Sequence, residues 1–136
     1  MVLIINTSSA EAEIIIVENN FKTNKKWHIV DLSVELLANT SQLLEETNHN
    51  LKDIKRIIAC HGPGSFTSTR IGIATANALA YTLRIPIFGF DAGLDVGLDV
   101  DQILLEASES GGKKLLTVKY SEDPKITINK KPSNAL

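Results

Sequence analysis

The sequence RIIACHGPGSFTSTRIGIATANALAYTLRIPIFGF, residues 56–90, places two short apolar runs on either side of one longer segment. RIIAC at 56–60 and IFGF at 87–90 have the length and composition of strands buried on both faces. Between them, residues 70–83 have the composition of a helix, which Pro86 prevents from continuing. A strand, a helix and a strand in this order predict a right-handed parallel crossover.

The first third of the chain predicts three strands and another helix. VLIIN at residues 2–6 and AEIIIVEN at 12–19 are apolar and rich in β-branched residues, which predicts an antiparallel pair. KKWHIV at 25–30 predicts a third, outer strand. Leucines at helical spacing predict a helix over 34–47, with Asp31 able to cap it. The full order of elements predicts a mixed α/β sheet with ribonuclease-H-like topology.

Composition divides the chain into three expected segments. The ribonuclease-H-like lobe is expected over residues 1–92, a short helix and a linker over 93–114, and an extended C-terminal tail over 115–136. The helix is predicted near 100–108, and the glycines, serines and lysines that follow it are typical of a flexible link. Two prolines in the tail exclude a central strand along its whole length.

Composition and charge limit the range of functions. The 136 residues are 43% hydrophobic and 22% charged, which is typical of one globular domain. A formal net charge of -2 predicts no general attraction for nucleic acid, so RNA contact requires a local patch or a partner. The single cysteine, Cys60, excludes an internal disulfide. We find no signal peptide and no apolar segment of about 20 residues, which predicts a cytoplasmic protein without membrane contact.

The loop HGPGSFT, residues 61–67, has several chemical interpretations. The start of a helix after a glycine-rich loop offers unpaired N–H groups that can hold an anion. The glycine spacing nevertheless matches neither a Walker A loop nor a dinucleotide fingerprint. The spacing favours a tight strand-to-helix turn with Ser65 or Thr67 as the helix cap.

A hydrolase interpretation would use His61 to activate Cys60 or Ser65. Adjacent residues at a strand end point to opposite faces, so the side chains of Cys60 and His61 are expected to diverge. No Gly-x-Ser-x-Gly elbow is present, and His28 and His49 lack the spacing of a helical metal pair. We therefore predict no catalytic residue and no metal site.

The helix after the loop carries a stripe of small residues. Gly72, Ala76 and Ala80 recur every four residues, with Ser68 one turn earlier, so another element can approach this side of the helix closely. One interpretation is that the stripe seats the helix on its own sheet. The other is that it forms an interface with a partner.

The loop and the helix after it resemble a known protein family. GPGSFTSTRIG at residues 62–72 is similar to the signature Gly-Pro-Gly-Ser-Phe-Thr-Gly-x-Arg-Ile-Gly of the TsaB (YeaZ) family, whose members assist threonylcarbamoyladenosine modification of transfer RNA. IINTSSAEAEIIIVEN and IPIFGFDAG resemble the family's first hairpin and the strand after its signature helix. The signature residues here are Gly62, Pro63, Gly64, Ser65, Phe66, Thr67 and Arg70.

The resemblance implies an actin-like ATPase fold, of which this chain supplies the first lobe while the family's larger second lobe is absent. It also implies a catalytically silent relative of the transferase TsaD, which pairs with TsaD through the two helices of its first lobe and works with TsaE and TsaC. Asn6 stands where actin-like ATPases have an aspartate, and an amide supplies no negative charge to a cation. Ser68 replaces a glycine of the signature.

From this resemblance we expect a non-catalytic scaffold subunit that binds a TsaD-like transferase, has a TsaE-like ATPase as a further partner, uses no cofactor and reaches tRNA only indirectly. The same helices could form a homodimer. An alternative is a small nucleotide hydrolase or phosphotransferase of actin-like fold, with the loop 62–67 as its anion site and Asp91 as a cation partner. The expected partner interface consists of Leu36, Leu37, Leu43, Leu44, Ser68, Gly72, Ala76 and Ala80.

Overall fold

A five-stranded sheet with helices on both faces is formed by residues 1–92 and 99–117, which are the residues that the computed structural model describes. The elements are β1 (Val2–Asn6), β2 (Glu11–Glu18), β3 (Phe21–His28), α1 (Leu32–Glu46), β4 (Arg56–Cys60), α2 (Phe66–Leu83), β5 (Ile87–Phe90) and α3 (Val100–Ser110), with a 3-10 turn at Leu51–Asp53 before β4.

The order of strands in the sheet is β3-β2-β1-β4-β5. β1 pairs antiparallel with β2 and parallel with β4, so that Ile4 lies between Ile15 and Ile58. β5 continues the parallel side next to β4, and β3 continues the antiparallel side next to β2. The predicted mixed sheet and its parallel crossover are therefore confirmed.

Three elements begin two or more residues earlier than predicted. β3 begins at Phe21 instead of residue 25, because a two-residue turn with Asn19 at a φ of 53° lets the hairpin pair from Glu18 and Phe21 onward. α1 begins at Leu32 instead of residue 34. α2 begins at Phe66 instead of residue 70, because the glycine-proline turn already ends at residue 65.

Alternate residues of the central strands supply two cores on opposite faces of the sheet. The first core lies under α1 and α2, and the second lies under α3. Buried strand residues of the first core are Leu3, Ile5, Ala12, Ile14, Ile16, Ile57, Ala59 and Ile87. Those of the second core are Val2, Ile4, Ile15, Val17, Ile58, Cys60, Phe88 and Phe90.

The segment after α3 returns to the edge of β5. Lys113 exchanges two backbone hydrogen bonds with Ile87, at 2.8 and 2.9 Å. The amide side chain of Asn77 on α2 donates to the carbonyl of Leu116 and accepts from its N–H, both at 2.8 Å. The side chain of Leu116 is buried in the first core. α3, which covers the predicted helix at 100–108, and residues 113–117 therefore pack onto the lobe.

Two parts of the predicted segments, residues 93–98 of the linker and residues 118–136 of the tail, lie outside the described residues. Among the residues that are described, no helix combines the length and the apolar character needed to cross a membrane.

Candidate functional site

The loop between β4 and α2 is fastened to the turn that follows β1. Gly64 lies so close to Ser8 that a Cβ atom would approach the Ser8 carbonyl oxygen to 2.5 Å. The N–H of Ser65 donates to the same oxygen at 2.8 Å. Gly62 has a φ of 97°, and its carbonyl accepts a hydrogen bond from Ala92. The loop thus joins three chain segments, in agreement with its interpretation as a structural turn.

The signature residues lie at the surface around the N-terminal end of α2. Ser65 occupies the N-cap position, but its side chain accepts no hydrogen bond from the first turn. The guanidinium of Arg70 lies over the ring of Phe66, 4.2 Å from its centroid. Gly62 is buried, and the exposed members of the signature are Pro63, Gly64, Ser65, Phe66, Thr67 and Arg70.

Polar side chains gather where the three parallel strands β1, β4 and β5 end. Asn6 closes β1, and its side-chain oxygen accepts hydrogen bonds from the N–H and the hydroxyl of Ser8, at 3.1 and 2.7 Å. This oxygen is therefore already engaged by the turn. Because the amide is also uncharged, Asn6 is a weak ligand for a cation compared with an aspartate.

His61 and Asp91 lie one residue beyond the ends of β4 and β5. The Nε2 atom of His61 is 2.9 Å from Oδ1 of Asp91. The other ring nitrogen faces Gly89, while the side chain of Cys60 lies in the core on the opposite face of the sheet. The expected divergence of Cys60 and His61 is confirmed, which argues against a Cys-His nucleophile pair. Asp91, the cation partner of the alternative interpretation, is bonded to His61 instead.

The surroundings of Cys60 lower the reactivity of its thiol. Its side chain is buried, and this burial is the main reason that the pKa of the thiol is raised, although hydrogen bonds from the Gly62 backbone and the Ser8 side chain act in the opposite direction. The nearby Asp91 raises the pKa further. Within residues 1–92 and 99–117, no three His, Cys, Asp or Glu side chains are grouped so that they could hold a metal ion.

We expect Cys60 to resist alkylation in the folded protein. The reactive form is the thiolate, whose population at pH 8 is lowered by the raised pKa, and burial blocks the reagent. Labelling with iodoacetamide at pH 8, followed by mass spectrometry, should be at least about 100-fold slower in buffer than in guanidinium chloride. Equal rates in the two solvents would contradict this arrangement.

The small-residue stripe of α2 faces the protein's own sheet. Ser68, Gly72, Ala76 and Ala80 are all buried. The hydroxyl of Thr7 donates to the carbonyl of Ser68 at 2.7 Å, and a Cβ atom on Gly72 would lie 2.0 Å from that hydroxyl oxygen. The stripe therefore seats α2 on the sheet, and its prediction as a partner interface is corrected for these four residues.

Three of the four predicted interface leucines are also interior. Leu36, Leu43 and Leu44 are buried in the first core, between α1 and the sheet. Leu37 points outward and is 48% exposed. Leu37 follows Leu36 by 100° around the helix and so lies beyond the edge of the buried side, which Leu36, Leu43 and Leu44 occupy. Leu37 alone remains available to a partner.

An uncharged surface lies on the outer sides of α1 and α2, and we call it the outer helix face. Its members are Val34, Leu37, Ala74, Thr75, Ala78 and Thr82. Leu37 and the α2 members, together with Leu79, line a groove of about 410 Å³ between the helices. Most of these residues are absent from the predicted interface, although one signal could have found them: residues 71–83 contain no Asp, Glu, Lys or Arg.

The fold of this chain is similar to that of known proteins. Residues 30–92 match the family model described as TsaD, tRNA N6-adenosine threonylcarbamoyltransferase. The solved structure of YeaZ from Pseudomonas aeruginosa superposes with a TM-score of 0.63 and 26% identity over 66% of this chain and 43% of that chain. The sheet and its helices are thus the ribonuclease-H-like lobe of an actin-like fold.

Two curated relatives give a more specific similarity, to TsaB proteins. A tRNA threonylcarbamoyladenosine biosynthesis protein TsaB of Buchnera aphidicola (Schizaphis graminum) is 37% identical over 48% of this chain and 29% of its own length. The protein of the same name from Bacillus subtilis is 38% identical over 40% of this chain and 24% of its own length. In sequence and in structure, this chain is therefore similar to proteins of the TsaB (YeaZ) family. It matches less than a third of the length of these two relatives.

Proposed function

We propose that this chain is a non-catalytic scaffold subunit of the machinery that makes N6-threonylcarbamoyladenosine in tRNA, and that it binds a TsaD-like transferase. The observation that carries the proposal is the outer helix face. Two adjacent helices form it, and the α2 part has no charged side chain between residues 71 and 83. Solvent-facing helix surfaces are ordinarily rich in charged residues, so such a surface is typical of an interface.

The shape of the outer helix face suits a helical partner. Ala74 and Ala78 are one turn apart and project little from α2, while Leu37 rises beside them from α1. A helix of the partner can therefore approach the backbone of α2 closely and pack a side chain into the groove. The same face could join two copies of this chain when the transferase is missing, since a two-fold interface uses one surface twice.

The chemistry at the strand ends supports a scaffold more than an enzyme. Asn6 lacks the charge of an aspartate and is engaged by Ser8, Asp91 is bonded to His61, and Cys60 is buried with a raised pKa. The relatives are named for biosynthesis of threonylcarbamoyladenosine in tRNA. In our proposal the transferase carries out the reaction on tRNA, a TsaE-like ATPase joins the same cytoplasmic complex, and this chain supports the transferase.

Co-purification tests the proposal directly. A TsaD-like protein from the same genome, expressed together with this full chain, is expected to elute with it from a gel-filtration column at micromolar concentration. The isolated chain, run at the same concentration in sedimentation velocity, gives the homodimer baseline. Separate elution of the two proteins would contradict the scaffold proposal.

The alternative enzyme is tested by nucleotide binding. Asn6 is uncharged and Asp91 is hydrogen-bonded to His61, so the described ends of the parallel strands hold a cation poorly. We therefore expect no heat of binding with ATP and Mg²⁺ in isothermal titration calorimetry up to about 1 mM nucleotide. Micromolar binding by the isolated chain would instead favour the hydrolase or phosphotransferase.

A further inference from the structure

An open groove of about 780 Å³ lies beyond the C-terminal end of α2. Among residues 1–92 and 99–117, the charged residues that line it are Arg84, Lys113 and Lys114, and none is acidic. None of these three cations forms a salt bridge with another residue of 1–92 or 99–117. Three of the chain's 14 lysines and arginines are thus concentrated in one groove, although the whole chain has a net charge of -2.

Backbone hydrogen bonds hold the two chain segments that line the groove. Arg84 caps α2 in the left-handed conformation, with its N–H directed at the carbonyls of Ala80 and Tyr81. Lys113 is held at the edge of β5 by its two backbone hydrogen bonds to Ile87. Backbone hydrogen bonds thus hold two separate chain segments beside each other, and Arg84, Lys113 and Lys114 line the groove between them.

An aromatic ring stands at the wall of the groove. Tyr81 lines it and is 84% exposed, which is unusual for a large aromatic side chain. An exposed ring beside unpaired cations is the combination that binds unpaired nucleotides, because the cations attract phosphates and the ring stacks on a base. An acidic peptide would be attracted by the charges but would make no such use of the ring.

We propose that this groove binds the phosphate backbone of RNA, with Tyr81 stacking on an unpaired base. This inference rests on the proposed function, in which the bound transferase brings tRNA to the complex. Thr82 lines both this groove and the groove of the outer helix face, so the groove adjoins the surface proposed for the transferase. The expectation that tRNA is reached only indirectly followed from the net charge, which averages over this local patch.

The test measures tRNA affinity of the complex with the TsaD-like protein by fluorescence anisotropy at several salt concentrations. The variant R84Q/K113Q/K114Q should lose on the order of tenfold in affinity at low salt, and its salt slope should fall by about 2 to 3. Tyr81→Ala should weaken binding while leaving the salt slope unchanged, because stacking releases no counterions. The matched control, K22Q/K25Q/K26Q, removes equal charge from β3 at the opposite edge of the sheet.

The outcomes separate this inference from the proposed function. Gel filtration before RNA is added shows whether the complex has formed. If the complex forms and both triple variants bind tRNA like the wild type, or both lose affinity equally, the groove inference is overturned while the scaffold role stands. If no complex forms, the scaffold role fails, and the same titrations on the isolated chain decide the groove. Displacement of tRNA by poly-glutamate of equal charge would overturn the assignment to RNA.

Discussion

Replacing Gly72 with alanine is expected to destabilise the protein by about 2–4 kcal/mol. A Cβ atom at this position would lie 2.0 Å from the hydroxyl oxygen of Thr7, so either α2 must move off the sheet or Thr7 must turn away. Turning Thr7 breaks its hydrogen bond to the carbonyl of Ser68 in a buried place. The sign of the change in the free energy of unfolding is diagnostic, because replacing glycine with alanine at an open helix position stabilises a protein by about 0.5–1 kcal/mol.

Urea denaturation followed by circular dichroism gives the free energy of unfolding for this comparison. Ala74→Ser serves as a control on the exposed side of the same helix and should change the free energy of unfolding by less than about 0.5 kcal/mol. Adding Thr7→Ala to the Gly72→Ala variant removes the closest clash, so the two changes should be less damaging together than their sum. A more stable Gly72→Ala variant would show that the stripe does not touch Thr7.

The sheet could be predicted from the sequence because most of its strands are short apolar runs that are easy to recognise. The runs at residues 2–6, 12–19, 56–60 and 87–90 are predominantly apolar, and all but the last contain several β-branched residues. The long apolar segment between the last two runs predicts a crossover connection. The boundaries of the helices and strands were harder to predict. The start of α2 was placed four residues late because residues 66–69 carry a phenylalanine and three hydroxyls, which have weak helix propensity, whereas packing of Ser68 and Thr69 against the sheet extends the helix.

The stripe on α2 shows the limit of periodicity as evidence. Small residues every four positions establish that something approaches the helix closely, but the same pattern serves a sheet of the same chain and a helix of another. What decides is the opposite side of the helix. A helix that packs against its own protein along one side ordinarily carries charged residues on its other side. Residues 71–83 contain no Asp, Glu, Lys or Arg, so the sequence itself indicates the α2 part of the outer helix face.

The pairs at the strand ends could be predicted only in part. His61 and Asp91 each follow a strand of the same crossover, and adjacent parallel strands end at the same edge of a sheet, so their proximity follows from topology. The engagement of Asn6 by Ser8 follows from a local turn that the residue types allow. The groove of Arg84 and Lys113 could not be foreseen, because it depends on the return of the chain after α3 to the edge of β5.

Placing a charge on the outer helix face is expected to abolish binding of the TsaD-like transferase. Leu37→Asp and Ala78→Glu each put a carboxylate into the proposed interface, where it would lose its water without gaining a partner. We expect the dissociation constant to rise by on the order of 100-fold or more, which equals about 2.7 kcal/mol or more. Isothermal titration calorimetry with the purified transferase measures it. Both residues are exposed in the free chain, so circular dichroism should show an intact fold.

Leu105→Asp is the matched control for Leu37→Asp. Leu105 is 54% exposed on α3, on the other face of the sheet, against 48% for Leu37, so the two variants make the same chemical change at nearly the same exposure. Ala76→Glu would not serve as an interface variant, because Ala76 is fully buried and the change would unfold the lobe whatever its partner. If Leu105→Asp weakens the complex as much as Leu37→Asp does, or if neither weakens it, the transferase does not bind on the outer helix face.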